Sequence, residues 1–233
     1  MSRRPSLTIL ALAACWTGAV GCRGGADERA AAGTEIRDTF RTAPPEAYHF
    51  DCDDGTVMVV HDANLSGVDE VTVLLPGRTV RLPRLDAPAG ERYGDGEVVY
   101  WRRSAREATL EVAGERLRNC VLDPALSKWE DAKLRGVSYR ALGNEPGWVL
   151  EIGPERIVWI TGYGGTRYVF PAATPEIDRD ARRTTWRSAD DGREIVIVVT
   201  GEPCLDDGDV AYPTTAGITF DGRLYTGCGR ALH

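Results

Sequence analysis

Residues 69–85 read DEVTVLLPGRTVRLPRL, two runs rich in Val, Leu and Thr that are joined by a Pro-Gly pair. β-Branched residues favour extended chain, and Pro-Gly between two such runs is a turn signal. Similar short runs occur nearby, TVMVV at 56–60 and EATLEV at 107–112, and the second alternates apolar with polar residues. Strands this short, with turns about every eight to twelve residues, predict a small antiparallel barrel or sandwich.

A helical segment interrupts the strand pattern. Asp123 can cap a helix, Pro124 suits its first turn, and Gly136 can end it. We therefore expect one short helix over residues 124–135, at the boundary between two domains.

The second half of the chain returns to strands. IVIVV at 195–199 is apolar without alternation, which predicts a central, buried strand. At most a brief helical turn near 175–181 interrupts this half. The predicted fold is mainly all-β, with a barrel domain at 47–123 and a second strand-rich domain at 124–233.

Residues 1–22 read MSRRPSLTILALAACWTGAVGC, in which a basic start precedes an apolar run and small residues. This order is typical of a secretory signal, and the run is too short to span a bilayer as a stable helix. Ala-Val-Gly-Cys22 and Leu-Ala-Ala-Cys15 both resemble the bacterial lipoprotein cleavage motif, in which the Cys is lipidated. We favour Cys22 and keep Cys15, or ordinary cleavage without lipidation, as alternatives.

Lipidation would hold the protein in the bacterial cell envelope, on the periplasmic side of the outer membrane in the simplest case. Residues 23–46 are rich in Ala, Gly and charge and end near Pro44-Pro45, so we expect a flexible tether.

Four cysteines lie beyond the predicted leader, at Cys52, Cys120, Cys204 and Cys228. Secretion favours disulfides, and four cysteines allow three pairings. The pairs 52–120 and 204–228 would each bracket one strand-rich region. The chain has no Cys-x-x-Cys spacing, so no zinc site is predicted.

Two segments, DCDD at 51–54 and CLDDGD at 204–209, are rich in carboxylates. The second lacks the bidentate Glu of a calcium loop, and an Asp-Gly turn beside a disulfide is the interpretation we favour. The sequence therefore predicts no metal site.

Composition limits the classes of function. The 233 residues carry a formal net charge of −7, which argues against nucleic acid as a partner and favours a basic partner or simply solubility. There are only three histidines, and no P-loop, Gly-x-Ser-x-Gly elbow or His-Glu-x-x-His is present. We expect a binding protein without a cofactor rather than an enzyme, and glycan cleavage is the weaker alternative because no carboxylate pair is evident.

Residues 48–122 resemble the MliC family, the membrane-bound inhibitors of c-type lysozyme. The matching pieces are, in order, YHFDCDDG, VTVLLPGRTVRLPR, AGERY with YWRR, and EATLEVAGERLRNC. The resemblance implies an eight-stranded antiparallel barrel closed by a disulfide between Cys52 and Cys120. It also implies c-type lysozyme as the protein partner and a lipid anchor as the link to the membrane.

Family members insert a loop into the lysozyme cleft. A serine just before the loop glycine and a lysine two residues after a tryptophan engage the catalytic carboxylates of the enzyme. The matching positions here are Ala89 and Arg103, while Gly90, Arg92 and Tyr93 keep the family pattern. A guanidinium can bind a carboxylate through two hydrogen bonds, so Arg103 suits the role of the lysine.

Ala89 has no hydroxyl, so one carboxylate of the enzyme would lose its partner, at a cost of about 1–3 kcal/mol. Arg92 and Arg102 are the nearby cations that could replace the hydroxyl. Two alternatives remain open: the arginine pair forms a solvated barrel edge, and Tyr93 closes the barrel end, which is the role we favour for it. The acidic stretch 46–77 would steer the protein toward a basic lysozyme, or is simply a solvated face.

Residues 125–232 resemble a family of bacterial envelope proteins with a hallmark close to YRALGNEPGW and a late Cys, Tyr-Pro and Gly-Cys-Gly, and are distantly similar to META-type domains. The resemblance implies no activity, and we interpret GNEPGW as a structural turn fixed by Trp148 in the core. A second hypothesis follows: the barrel has lost inhibition, and the protein is an envelope binding or stress module that works through its C-terminal domain.

Overall fold

The computed structural model describes residues 46–62 and 69–233, which belong to one unit of the chain, Ile36–His233. The predicted signal, both candidate lipidation sites Cys15 and Cys22, and the tether up to residue 45 lie outside the described residues. Within the described ranges, no helix is both long and apolar enough to cross a membrane.

Eight antiparallel strands close into a barrel, which confirms the predicted fold of the first half. β1 pairs with β2 on one side and with β8 on the other, so the barrel has no open edge. The strands are β1 (Ala47–Cys52), β2 (Val57–Asp62), β3 (Glu70–Leu75), β4 (Arg78–Leu85), β5 (Glu91–Gly94), β6 (Val98–Arg102), β7 (Glu107–Val112) and β8 (Arg118–Asp123).

Alternation along these strands fills the barrel interior. Phe50, Met58, Val73, Leu82 and Leu110 are each 0% exposed. Burial of a side chain of this size stabilises the fold by about 1.5–3 kcal/mol, so the interior positions hold the strands in register.

Helix α1 (Pro124–Leu134) follows β8 directly, and one short helix is present where the sequence predicts it. The Asp123 side chain accepts hydrogen bonds from the backbone N–H groups of Ala125 and Leu126, both at 2.8 Å. Gly136 has φ +79°, the left-handed conformation in which glycine commonly ends a helix.

The second half forms a nine-stranded antiparallel sheet in the order β12-β11-β10-β9-β19-β18-β15-β14-β13, beside a two-stranded ribbon, β16 with β17. The strands are β9 (Tyr139–Asn144), β10 (Gly147–Ile152), β11 (Arg156–Thr161), β12 (Thr166–Pro171), β13 (Glu176–Asp178), β14 (Arg183–Asp190), β15 (Arg193–Thr200), β16 (Cys204–Leu205), β17 (Ala211–Tyr212), β18 (Thr214–Phe220) and β19 (Arg223–Ala231).

One local expectation for this sheet is confirmed in part, and another is wrong. β15, which contains IVIVV, is an interior strand, but its burial alternates: Ile195 and Ile197 are fully buried, whereas Val196 and Val198 are only partly buried. One face of the strand packs on the core, and the other lies on the outer surface of the sheet. The stretch 175–181 holds β13 and a turn rather than a helical turn.

Helix α1 contacts both β structures. Its Ser127 hydroxyl accepts a hydrogen bond from the backbone N–H of His49 on β1 at 2.9 Å. On the other side, Arg135 at the helix C-terminus binds both carboxylate oxygens of Glu151 on β10, at 2.9 and 3.0 Å. The helix is therefore the element that joins barrel and sheet.

Both expected disulfides are formed. Cys52 and Cys120 link β1 to β8 across the closing pair of the barrel, and Cys204 and Cys228 link β16 to β19. The first bridge spans 68 residues of sequence and the second spans 24.

Candidate functional site

The predicted loop and the arginine pair lie at the same end of the barrel. Glu91, the first residue of β5, is the pairing partner of Arg102, the last residue of β6. Residues 86–90, here called the rim loop, lead into β5 at the point where Arg103 leaves β6. The strand register thus brings Ala89, Gly90 and Arg103 together.

Gly90 allows the rim loop to touch the neighbouring backbone. Its φ is +73°, and a Cβ atom at this position would overlap the carbonyl oxygen of Arg102 and lie 3.3 Å from the Cα of Arg103. A side chain is excluded both by the left-handed conformation and by space. The glycine therefore holds the loop directly against the segment that carries Arg103.

Trp101 organises the outer side of this rim. Its indole Nε1–H donates a hydrogen bond to the carbonyl oxygen of Ala89 at 3.0 Å. The guanidinium carbons of Arg103 and Arg92 lie 5.7 and 6.0 Å from the centroid of its ring, within the range of cation–π attraction. Trp101 was not among the predicted site residues, although its position directly before an arginine pair is the signal that could have identified it.

Arg103 is exposed to solvent. Its backbone N–H donates to the carbonyl oxygen of Glu107 at 2.9 Å, which fixes the start of the loop. Within the described part of the chain, no carboxylate lies within salt-bridge distance of its guanidinium group. The site therefore offers a positive charge whose hydrogen-bond donors an external carboxylate can reach.

Arg102 faces the opposite way, into the end of the barrel. Its guanidinium carbon lies 4.4 Å from the centroid of the Tyr48 ring, and Nη1 is 4.0 Å from a carboxylate oxygen of Glu91. Burial lowers the pKa of Arg102, but hydrogen bonding to the Tyr48 hydroxyl and the nearby Glu91 more than reverse this effect. Arg102 therefore lies over the barrel mouth, with its side chain 22% exposed.

Tyr93 also belongs to the interior. It is 2% exposed, and its ring lies parallel to that of Tyr100 with centroids 6.0 Å apart. Burial raises the pKa of Tyr100. Of the five residues predicted to contact lysozyme, the structure thus brings Ala89, Gly90, Arg92 and Arg103 to the outer rim and places Tyr93 in the barrel core.

Carboxylates in both of the acidic segments, 51–54 and 204–209, form contacts within the protein. Asp54 pairs with Arg118, which is the main reason that the pKa of Asp54 is lowered. Asp206 accepts hydrogen bonds from the N–H groups of Gly208 and Val210, as an Asp-Gly turn does. The described residues contain no group of three or more His, Cys, Asp or Glu that could hold a metal ion.

The GNEPGW segment forms the turn between β9 and β10. Trp148 is 3% exposed and packs against Trp159, with ring centroids 5.2 Å apart. A Cβ atom on Gly143 would collide with the Trp148 ring, so this glycine makes room for the tryptophan. Tyr163 lies in the connection between β11 and β12 and is 81% exposed. Its hydroxyl donates a hydrogen bond to the carbonyl oxygen of Asn144 in the β9–β10 turn at 2.9 Å.

Residues 50–118 match the family model described as the membrane-bound lysozyme-inhibitor of c-type lysozyme, MliC. The match covers less than a third of the 233 residues and does not extend to helix α1 or the nine-stranded sheet. The chain has no significant match among curated proteins or solved structures. The matched segment indicates a lysozyme inhibitor, with a c-type lysozyme as its protein partner.

Proposed function

We propose that this protein inhibits a c-type lysozyme by inserting the rim loop and Arg103 into the active-site cleft of the enzyme. The observation that carries the proposal is the position of Arg103: exposed, beside Gly90, and at the outer rim with Trp101. A lysozyme cleft carries two catalytic carboxyl groups, and a guanidinium binds a carboxylate through two parallel hydrogen bonds.

The site needs little reorganisation on binding. The rim loop is held against the backbone at Arg102, and Trp101 is hydrogen-bonded to Ala89. Affinity improves when groups are held in the bound geometry beforehand, because less conformational entropy is lost. The net charge of −7 would also speed the encounter with a basic enzyme.

In this proposal the protein acts in the bacterial cell envelope, in keeping with the words membrane-bound in the family description. Lipidation at Cys22, or at Cys15, would anchor it on the periplasmic side of the outer membrane. There it would meet a lysozyme that enters from outside the cell.

The test is a lysozyme turnover assay with purified residues 23–233 and the Arg103→Ala variant. Loss of one partner of a desolvated charge pair costs about 2–5 kcal/mol, so we expect Arg103→Ala to weaken inhibition at least about thirtyfold. Arg106→Ala is the matched control, because Arg106 is exposed in the same connection between β6 and β7. Undiminished turnover at micromolar wild-type protein, with the fold intact by circular dichroism, would rule out the function.

A second candidate function rests on Tyr163. An aromatic ring that is 81% exposed and fixed through its hydroxyl favours a binding surface on the second sheet, which would act as an envelope binding module. Glycans, metal ions and small metabolites that raise the melting temperature of the wild type, but not of Tyr163→Ala, would support it. A melting temperature indifferent to all of them would count against it.

A further inference from the structure

Two cations share the exposed face of Trp101. We propose that Arg92 replaces the hydroxyl that Ala89 lacks, so that this rim binds both catalytic carboxylates of its target with guanidinium groups. The inference rests on the inhibitor function proposed above and concerns how the same surface selects its target.

The strand register places Arg92 and Arg103 on one face. Arg92 on β5 is the direct pairing partner of Trp101 on β6, and directly paired residues project to the same side of a sheet. Arg103 follows Trp101 by two residues, so it also projects to that side. The ring distances of 6.0 Å for Arg92 and 5.7 Å for Arg103 agree with this arrangement.

Arg92 is held by packing and not by an internal carboxylate. Its Nε atom is buried and has no hydrogen-bond partner within the described residues, and no salt bridge from Arg92 to any of these residues is found. A guanidinium group is planar and carries several N–H donors. Arg92 is partly exposed, and no described residue accepts a hydrogen bond from its guanidinium, so its outer N–H groups can reach a partner.

Arg92 is also next to the missing hydroxyl. The carbonyl oxygen of Ala89 accepts the indole N–H of Trp101, so position 89 and Arg92 border the same ring. Arg102, the other cation that could compensate, is directed to Tyr48 and Glu91 in the barrel mouth. Of these two arginines, Arg92 is the one that reaches the target surface.

The spacing suits an enzyme with two carboxyl groups. The guanidinium carbons of Arg92 and Arg103 lie 6.0 and 5.7 Å from one ring centroid, so the two groups are at most about 11.7 Å apart. The catalytic carboxyls of glycoside hydrolases lie about 5–9.5 Å apart, within that limit. A hydroxyl can donate to or accept from a carboxyl group in either protonation state, whereas a guanidinium only donates and binds the ionised form much more strongly than the neutral one. Because the acid of such a pair titrates near pH 6, a rim with two arginines should bind more tightly as the pH rises through about 6.

A double-mutant cycle between positions 89 and 92 tests the inference, with dissociation constants for a c-type lysozyme measured by calorimetry at pH 5 and pH 7. We expect Arg92→Ala to weaken binding at least tenfold at pH 7 and to reduce the gain in affinity between the two pH values. Arg92→Lys should restore part of the loss. Ala89→Ser should strengthen binding more in the Arg92→Ala background than in the wild type, because the hydroxyl then fills an empty role.

Arg81→Ala, which removes an exposed arginine from β4, is the control for net charge and should change binding less than threefold. Equal melting temperatures of the wild type and Arg92→Ala show that the barrel is intact. If they differ, the binding measurements are made with Arg92→Lys in place of Arg92→Ala. Additive effects at positions 89 and 92 would overturn the inference while the wild type still inhibits. A wild type that does not bind lysozyme would overturn the proposed function together with it.

Discussion

Single residues decide whether the rim can form. Gly90 combines a left-handed conformation with backbone contact to Arg102, whereas Gly77, in the turn between β3 and β4, has φ +77° and no atom within 4 Å of the point that a Cβ would occupy. The two glycines thus separate the effect of conformation from the effect of space.

We expect Gly90→Ala to cost more stability than Gly77→Ala, because only the first adds a steric clash to the strain of positive φ. Strain alone costs roughly 1 kcal/mol or more. Denaturant unfolding measures both values. Gly90→Ala should also weaken lysozyme inhibition while Gly77→Ala leaves it unchanged, and equal effects of the two variants would contradict the role given to the contact.

The resemblance to the MliC family implies Ala89, Gly90 and Arg103 as a group, and the strand register of the structure brings them together. The strand pattern of the sequence does not predict which of the adjacent residues Arg102 and Arg103 faces outward. Tyr100 and Trp101 precede them, and either aromatic ring could fill a barrel. The closed barrel shows that Tyr100 is buried in the interior. Because side chains alternate along a strand, Arg102 also points to the interior side, toward Tyr48.

At the scale of elements, helix α1 is held to the sheet by a buried carboxylate. Glu151 on β10 is 7% exposed and binds Arg135 of the helix C-terminus as well as Arg140 of β9. Burial raises the pKa of Glu151, but hydrogen bonds and charge from Arg135 and Arg140 outweigh burial and lower it below its ordinary value of 4.5.

Glu151→Gln should therefore destabilise the protein by about 3–5 kcal/mol at pH 7, because it leaves buried Arg140 without an anionic partner. Glu194→Gln, at an exposed position of β15, is the matched control. A carboxyl whose pKa is lower in the folded than in the unfolded state adds stability that is complete above the unfolded pKa and is lost as pH falls through the folded pKa.

The difference in unfolding free energy between the wild type and Glu151→Gln should thus be largest at neutral pH and decrease below about pH 4.5. Urea titrations at several pH values measure it. A difference that grows on acidification would show that the carboxylate is not ionised in the folded protein.

Local patterns predict the elements well where caps and alternation agree, as in helix α1 with Asp123 and Gly136. They fail for β15, because an unbroken apolar run does not reveal whether a second layer covers the outer face. Its neighbour β18 carries Gly217 opposite Val198, and the outer face remains partly open there.

For the whole molecule, the two disulfides close loops of different length. The chain-entropy estimate gives about 4 kcal/mol for the 68-residue span between Cys52 and Cys120, and about 3 kcal/mol for the 24-residue span between Cys204 and Cys228. The first bridge joins β1 to β8 and the second joins β16 to β19, so neither bridge involves helix α1.

We expect the double variant Cys52→Ser, Cys120→Ser to lose more stability than Cys204→Ser, Cys228→Ser, and to lose lysozyme inhibition as the barrel opens. The second variant should keep inhibition, since none of the rim residues lies in that half. Thermal unfolding and the turnover assay measure both effects. Loss of inhibition with the second variant alone would place the active surface in the nine-stranded sheet.

Successive strands of the barrel run in opposite directions. The start of β1 at Ala47, the end of β8 at Asp123 and the rim loop between β4 and β5 therefore lie at the same end. Helix α1 follows β8, which pairs with β7, so it leaves this end beside the connection between β6 and β7 that carries Arg103. An enzyme docked on Arg103 would therefore approach the end of the barrel from which helix α1 leads to the nine-stranded sheet. We expect the appended half to limit access to this end by size, so that a lysozyme fused to a second domain is inhibited less than a single-domain lysozyme in the turnover assay.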